Sequence, residues 1–235
     1  MALTGGSPMA SPMASPMARA WPIESDRAVA DLLSAGHTVV FVHTPDTEDR
    51  TLARHAVRTA LRDVLARYFD CSGDGIALQQ VPGYGVRVLP GASFPVHKLP
   101  TGRPLAFTSI SHAPGLSAVA IDVQGAVGLD VLRNDTRLND VEEMAHLAND
   151  YLGPHAAQAL QAIAPAERLA AFLQAWVAHE AKLKCLGVGL VEWSPRLDRQ
   201  LQHCSTRHIA LPAPFLGALS GVHRFDSGKL SRSHH

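Results

Sequence analysis

Apolar and polar residues along the first half of the chain follow patterns that predict strands and one long helix. The run TVVFVHT, residues 38–44, is apolar and β-branched, which is typical of a strand. From Asp46 to Phe69 apolar residues recur at helical spacing, and Asp46 or Thr47 can cap the start of that helix. GIALQQV and GYGVRVL then predict two short strands on either side of a turn.

The second half begins with a hairpin pattern and then becomes helical. RPLAFTSISHA and LSAVAIDV alternate with a period of two residues and are joined by Pro-Gly, so they predict a hairpin. AVGLDVL, residues 126–132, predicts a third strand. RLNDVEEMAHLAND and PHAAQALQAI follow as helices, and a long helix is predicted from about Pro165 to Leu186, ended by the glycines of GVGLVEW. RHIALPAPF and GVHRF predict late strands.

This order of elements predicts an α+β fold with helices packed on mostly antiparallel sheet. We expect a pseudo-twofold pair of similar halves, residues 21–107 and 108–226, each with a long helix and several strands. The tetrad SPMA occurs three times near the start, and its prolines exclude a stable helix. Residues 1–20 are therefore predicted to be a disordered tail, or upstream sequence read through from an early start codon, and residues 227–235 a second disordered tail.

Composition narrows the class of protein. The 235 residues are 46% hydrophobic and 18% charged, which is a globular composition long enough to bury a core. The formal net charge is zero, so no global field attracts nucleic acid or a membrane surface, and we expect neither as a partner. Without a signal peptide or a membrane-length apolar run, we expect a cytoplasmic protein. The cysteines Cys71, Cys185 and Cys204 form no metal or disulfide pattern and are predicted to be buried or incidental thiols.

An acid and a lysine lie on one face of the predicted long helix. Glu180 and Lys184 are four residues apart, and Trp176 extends the same stripe. A solvated ion pair is the ordinary explanation of such a pair. The large aromatic side chain instead indicates that the stripe meets other protein, in which case Glu180 is not simply solvated.

A second acid lies inside an apolar strand. Gly128, Asp130 and Leu132 point to one face of that strand, because side chains alternate. A carboxylate in this position is costly unless it is paired, hydrogen-bonded or bound to metal. An aspartate at a strand end that reaches solvent or a backbone amide is the alternative.

Two further groups can meet a ligand. Ser111 and His112 end a strand just before a Pro-Gly turn, although a histidine here is also compatible with a structural role. The first long helix carries an arginine at every fourth residue: Arg50, Arg54, Arg58 and Arg62. That stripe indicates either a solvated face or a site for phosphates or an acidic partner.

Together these segments resemble the paired signature of the 4'-phosphopantetheinyl transferase family. VGLDVLR, followed about 45 residues later by WVAHEAKLKCLGVGL, is similar to the family's Gly-x-Asp strand and its Trp-x-x-Lys-Glu-x-x-x-Lys helix ending in Gly-x-Gly-Leu. GRPLAFTSISH resembles a Gly-Lys-Pro element leading to Ser-His, and AVRTALRDVLARY resembles the arginine-bearing first helix. The likeness covers about Thr38 to Trp193. The length fits the larger, two-lobed (Sfp-like) type better than the small trimeric one.

The resemblance implies an enzyme that moves the phosphopantetheine arm of coenzyme A onto a serine of an acyl or peptidyl carrier protein, releasing 3',5'-ADP. Coenzyme A is the implied co-substrate, Mg²⁺ the implied cofactor, and two fused halves imply a monomer. The implied metal ligands are Asp130 and Glu180, with Glu180 also a candidate base. Lys184 is implied to contact phosphates. The remaining implied contacts to coenzyme A are Arg54, Arg58, Gly102, Arg103, Pro104, Ser111 and His112.

Two positions depart from the family pattern. Leu132 stands where many members carry a second acid, and His179 stands where the signature has lysine. Since histidine is mostly neutral at pH 7, we expect activity to rise at mildly acidic pH if that lysine helps to hold phosphate charge. The departures keep a second hypothesis open, a degenerate homologue that binds coenzyme A or a carrier protein without catalysis. A purely structural or interaction protein requires every one of these coincidences to be accidental.

Overall fold

The computed structural model describes residues 17–47, 50–81, 85–134 and 141–222, and these residues form an α+β fold, as predicted. The helices of the described residues are α1 (Ser25–Ala35), α2 (Thr51–Phe69), α3 (Val141–Leu147), α4 (Pro154–Gln161), α5 (Pro165–Leu186) and α6 (Pro195–Leu201). The strands are β1 (Arg19–Ala20), β2 (His37–His43), β3 (Ile76–Val81), β4 (Gly85–Pro90), β5 (Phe107–Ala113), β6 (Leu116–Asp122), β7 (Val127–Arg133), β8 (Cys204–His208) and β9 (Phe215–Val222). A π-helical turn, Ala148–Leu152, joins α3 to α4.

The strands form two main sheets and a separate hairpin. The first sheet has the order β1-β2-β6-β5, in which β1 is parallel to β2 and the other pairs are antiparallel. The second sheet, β7-β9-β8, is antiparallel throughout. Strands β3 and β4 form the hairpin. Strands β5 and β6 of the expected second half therefore share a sheet with β2 of the expected first half, and the pseudo-twofold relation stays a prediction.

The cores lie between four stacked layers. One core packs α1 and α2 against one face of the first sheet, through residues such as Val57, Leu61 and Val119. The other face of that sheet packs against the second sheet, where Val39 and Leu129 share a cluster. Helix α5 covers the far side of the second sheet. Every residue of β6 is buried, because this strand has a packed layer on both faces.

Helix α5 lies unusually close to β7 because β7 carries a glycine at the crossing. A Cβ added at Gly128 would clash with the carbonyl oxygen of Ala181 and the amide nitrogen of Cys185, and would lie 2.9 Å from the Cα of Cys185. The glycine thus lets two backbones meet without a side chain between them. Gly128, Asp130 and Leu132 all face this helix, as their alternation predicted, while Leu129 and Val131 face the other sheet.

Most of the predicted elements are confirmed. The hairpin, β3, β4, β7 and α4 occur where the sequence pattern placed them. Helix α5 has the predicted bounds, and Gly187 ends it in a left-handed conformation.

Cys71, Cys185 and Cys204 are free thiols. Within the described residues, no helix is both long and apolar enough to cross a membrane.

The start of α2 was predicted wrongly. The helix begins at Thr51, not at Asp46, and its N-cap residue Arg50 makes no side-chain capping bond. Asp46 forms an ion pair with Arg133 at the end of β7, so its carboxylate serves a long-range contact. Sequence pattern cannot separate these two uses of an aspartate.

Other differences occur at the ends of the chain. The single strand predicted over RHIALPAPF is wrong between His208, where β8 ends, and Phe215, where β9 begins, because Pro212 and Pro214 lack the N–H that a ladder requires. Helices α1 and α6 were not predicted. Residues 17–20 were expected in the N-terminal tail, but Met17 forms a bridge with Ala210, and β1 pairs with β2. Residues 1–16 and the second tail lie outside the described residues, as does the end of the strand expected in GVHRF.

Substitution of Gly128 by alanine tests the close approach. We expect Gly128→Ala to lower the free energy of unfolding by about 1–3 kcal/mol or more, because backbone atoms on both sides resist the added methyl group. Urea unfolding at pH 7 measures the change. Gly189→Ala is the matched control, since a Cβ there meets no atom within 4 Å. Equal effects of the two substitutions would contradict the proposed steric role.

Candidate active site

Three side chains from three elements form a hydrogen-bonded group beside the α5–β7 crossing. Lys184 Nζ on α5 lies 2.6 Å from Asp130 Oδ1 on β7, forming an ion pair. Ser111 Oγ on β5 donates to the same oxygen at 2.9 Å. Lys184 Nζ also donates to Ser111 Oγ at 3.2 Å. Asp130 is 8% exposed, so its carboxylate is buried with its charge paired.

Glu180 lies one helical turn before Lys184 and lines the same cavity, of about 320 Å³, as Asp130 and Ser111. Burial raises the pKa of the Glu180 carboxyl, and the nearby negative charge of Asp130 raises it further, while Lys184 lowers it. The side chain is only half-buried. Glu180 is thus a carboxylate that accepts a proton more readily than an exposed glutamate.

His112 and the arginine stripe of α2 lie on the opposite face of β5 from Ser111. Burial lowers the pKa of His112 to about 4, and the charges of Arg50, Arg54, Lys184 and Arg58 lower it further. The imidazole is therefore neutral at pH 7. Its Nδ1 lies 2.7 Å from Ser117 Oγ. If the Ser117 hydroxyl donates to Nδ1, the imidazole proton is on Nε2, where it can be donated to a ligand.

Adjoining cavities extend from this group, and the other predicted contacts line them. Arg54, Arg58 and His112 line a cavity of about 520 Å³. Gly102 and Arg103 line another, of about 320 Å³. Pro104 lines that cavity and also a larger one, of about 600 Å³, which reaches Lys184. The structure thus brings every predicted site residue to the walls of one set of neighbouring cavities.

Sequence reasoning missed two residues of these walls, Arg87 and Gln80. Arg87 lines two of the cavities, and its place in the alternating strand GVRVL was the signal that it faces away from the buried Val88. Gln80 accepts a hydrogen bond from Arg58. No local signal pointed to Gln80, because the contact joins a helix to a distant hairpin.

The two departures from the family pattern have different structural settings. Leu132 faces α5 from the same side as Asp130, and it packs in the cluster that contains Trp176. Trp176 in turn packs on Tyr151 and Phe172, with ring centroids 5.7 Å apart in each pair, so the stripe of Glu180 does meet other protein. Leu132 therefore contributes an apolar wall where an acid would add charge.

His179 is buried away from the cavity that Lys184 lines. The two residues are about 140° apart around α5. Burial lowers the pKa of His179 to about 4, and the charge of Lys182 lowers it further. Its Nε2 atom has no hydrogen-bond partner among the described residues. The expected gain of activity at mildly acidic pH is not supported, because His179 stays neutral well below pH 6.

Comparison with known families adds a finding that does not depend on this geometry. The family model of the 4'-phosphopantetheinyl transferase superfamily matches residues 126–225. This part of the chain is a domain of that superfamily. The resemblance read from the sequence is confirmed for the segment that contains Asp130, Glu180 and Lys184. Among curated proteins, no match to the chain was found.

The segment that matches the superfamily contains two carboxylates, Asp130 and Glu180, that could hold a metal ion. Among the described residues, no group of three or more histidine, cysteine or acidic side chains is placed to hold a metal. Asp130 and Glu180 nevertheless line one cavity, and the charge of Asp130 raises the pKa of the Glu180 carboxyl. Mg²⁺ commonly takes one or two carboxylates and completes its shell with waters and substrate phosphates. The donor set fits such a shared ion.

Titration of His112 tests the electrostatics of the candidate site. We expect NMR to give a pKa of about 4 in the free protein, well below the ordinary 6.5. Adding inorganic pyrophosphate should raise that pKa, because the anion offsets the repulsion from the arginines and Lys184. The variant His112→Gln assigns the signal by its disappearance. A pKa near 6.5, or one that pyrophosphate does not move, would contradict this description.

Substitution of Glu180 by glutamine tests its burial. The raised pKa means that ionised Glu180 destabilises the folded state at pH 7. Glu180→Gln should therefore raise the midpoint of urea unfolding at pH 7 without changing the slope. The gain should vanish below the ordinary glutamate pKa of 4.5, where the carboxyl is protonated in both folded and unfolded chains. Glu192→Gln, at an exposed position, is the control. A loss of stability at pH 7 on Glu180→Gln would contradict the assignment.

Proposed function

We propose that the protein transfers the 4'-phosphopantetheine arm of coenzyme A to a serine of an apo acyl or peptidyl carrier protein, with Mg²⁺, releasing 3',5'-ADP. One observation carries the proposal: Asp130, Glu180 and Lys184, all within the segment that matches the superfamily, line one cavity. The neighbouring arginines give the same groove a positive wall, which suits a ligand rich in phosphate.

Asp130 and Glu180 are the residues that would hold Mg²⁺, sharing it with the pyrophosphate of coenzyme A. When bound, the ion neutralises phosphate charge and polarises the phosphorus that is attacked. Asp130 suits this role because it is already fixed by Ser111 and Lys184. Glu180 suits it because its cavity is shared with Asp130.

The reaction forms one bond and breaks one. The carrier serine oxygen attacks the β-phosphorus of coenzyme A, and the bond to the bridging oxygen of 3',5'-ADP breaks. Glu180 is the group placed to take the serine proton, directly or through water, and its raised pKa makes it a better base than an exposed glutamate. Lys184 lies one turn further along α5, where its ammonium group can stabilise the charge on the departing phosphate.

The remaining predicted contacts bind and orient coenzyme A. Arg54 and Arg58 offer fixed positive charge, and neutral His112 offers one N–H donor. Gly102, Arg103 and Pro104 line a cavity to which we assign the adenine of coenzyme A, because they match the family's adenine-pocket element. These groups act before the chemical step, so their loss is expected to weaken coenzyme A binding more than turnover.

The proposal extends to the larger, two-lobed type of transferase acting as a monomer in the cytoplasm. Each half has its own long helix, α2 or α5, packed on antiparallel strands. The positive wall comes from α2 and the acids from β7 and α5, so a single chain contributes both sides of the groove.

A second function, binding without catalysis, is favoured by one observation. Leu132 packs on the same apolar cluster as Trp176, at the position where many members of the family carry another acid. A protein of this kind would bind coenzyme A or a carrier protein with no transfer. Calorimetry that shows binding of coenzyme A, combined with no turnover, distinguishes it from the transferase.

The transfer reaction itself is the direct test. The protein is mixed with coenzyme A, Mg²⁺ and several apo carrier proteins, and mass spectrometry measures the addition of one phosphopantetheine group. We expect transfer by the wild type and its loss in Glu180→Gln, with the folded state retained. Glu192→Gln should transfer at the wild-type rate, since this carboxylate is exposed outside the cavity. No transfer to any carrier, while a control transferase works, would overturn the proposal.

A further inference from the structure

We infer that Ser111 is a positioning residue, which holds Asp130 and Lys184 in place for the metal and phosphates and does not itself contact coenzyme A. The inference rests on the proposed function. It differs from the role that the family resemblance implied for Ser111, which was a direct contact to phosphate.

The hydrogen bonds of Ser111 use its full capacity. A serine hydroxyl has one hydrogen to donate and two lone pairs to accept with. Its hydrogen goes to Asp130 Oδ1 at 2.9 Å. Its lone pairs accept from the backbone N–H of Val131 and from Lys184 Nζ, each at 3.2 Å. A direct bond to a phosphate oxygen would therefore require Ser111 to release Asp130.

The geometry leaves one oxygen of Asp130 for another partner. Both Ser111 and Lys184 bond to Oδ1. Within the described part of the chain, no side chain bonds to Oδ2. Because Ser111 is anchored to the β7 backbone, next to Asp130 itself, it fixes the rotation of the carboxylate as well as its position. Groups that orient metal ligands in this way set metal affinity.

The chain carries its own control two residues earlier. Ser109 lies on the same face of β5 as Ser111, and its Oγ accepts from the backbone N–H of Leu129 at 2.9 Å. Both serines thus join the edge of the first sheet to the edge of the second. Only Ser111 also contacts Asp130 and Lys184. Comparing the two serines separates the structural bond from the positioning bonds.

The experiment compares Ser111→Ala with Ser109→Ala in the full chain. Mn²⁺, used as a probe for Mg²⁺, is titrated by electron paramagnetic resonance with coenzyme A present. Calorimetry measures coenzyme A binding, and the transfer assay gives kcat and KM. Thermal unfolding reports the structural loss, which both variants share because each leaves one backbone N–H of β7 without its serine. Ser111→Ala additionally loses the bonds to Asp130 and Lys184, so its melting temperature should fall further. Ser111→Thr keeps the hydroxyl and tests rescue.

We expect Ser111→Ala to weaken Mn²⁺ binding and lower kcat by about tenfold each, with KM for coenzyme A changed less than about twofold. Ser109→Ala should leave Mn²⁺ affinity and kcat within about twofold of the wild type, because Ser109 contacts neither Asp130 nor Lys184. Ser111→Thr should recover most of the loss. If Ser111→Ala does not fold, Ser111→Cys, whose thiol bonds weakly, takes its place.

Three results would overturn the inference. Equal losses in the two alanine variants would leave Ser111 with the structural role alone. A large rise in the coenzyme A dissociation constant of Ser111→Ala, with unchanged Mn²⁺ affinity, would make Ser111 a direct contact. A wild-type protein that binds neither Mn²⁺ nor coenzyme A would overturn the proposed function, and this role with it.

Discussion

The site depends on the contact between two backbones at Gly128. Because this residue has no side chain, α5 lies directly against β7, with the carbonyl of Ala181 and the amide of Cys185 over the glycine. Glu180 and Lys184 flank that point on the helix, and Asp130 follows two residues later on the strand. A side chain at the crossing would push the helix outward and lengthen the distance from Lys184 to Asp130, which is now 2.6 Å. The geometry of all three charged groups thus follows from one small residue.

The second constraint is electrostatic, and it costs stability. Glu180 is half-buried near the like charge of Asp130, which raises its pKa, and His112 is held neutral by burial and by four nearby cations. A packed protein gains nothing in the folded state from either arrangement. Charged groups whose repulsion destabilises the folded state are typical of functional sites, where a bound ligand or a proton reduces that repulsion. An anion in the groove would reduce the repulsion on the cationic wall, and a cation between the acids would reduce the repulsion there.

Local patterns in the sequence predicted the faces of the elements but not the contacts between them. Strand alternation placed Gly128 and Asp130 on one face, and helical spacing placed Glu180 beside Lys184, and both predictions are confirmed. The same spacing favoured a Glu180–Lys184 pair on the helix surface, whereas Lys184 reaches across to β7. Which of two acids a lysine pairs with depends on how elements pack, and no local pattern encodes that. Strand β1 was missed for the same reason, because Phe41, the partner of Ala20, is distant in sequence. The start of α2 was placed too early because Asp46 pairs with the equally distant Arg133 and does not cap the helix.

Because of the two departures from the family pattern, the proposed chemistry depends on three charged side chains, Asp130, Glu180 and Lys184. His179 is buried and neutral, so it adds no charge to the groove, and Leu132 adds an apolar wall beside Trp176. Asp130 and Glu180, with Lys184 already bonded to Asp130, leave at most one net negative charge to attract a divalent ion. Such a site alone holds a cation weakly, because little Coulomb attraction offsets the cost of removing its water. Under the proposed function the phosphates of coenzyme A supply the missing charge. Metal and coenzyme A should therefore bind cooperatively, each providing ligands or charge that the other lacks.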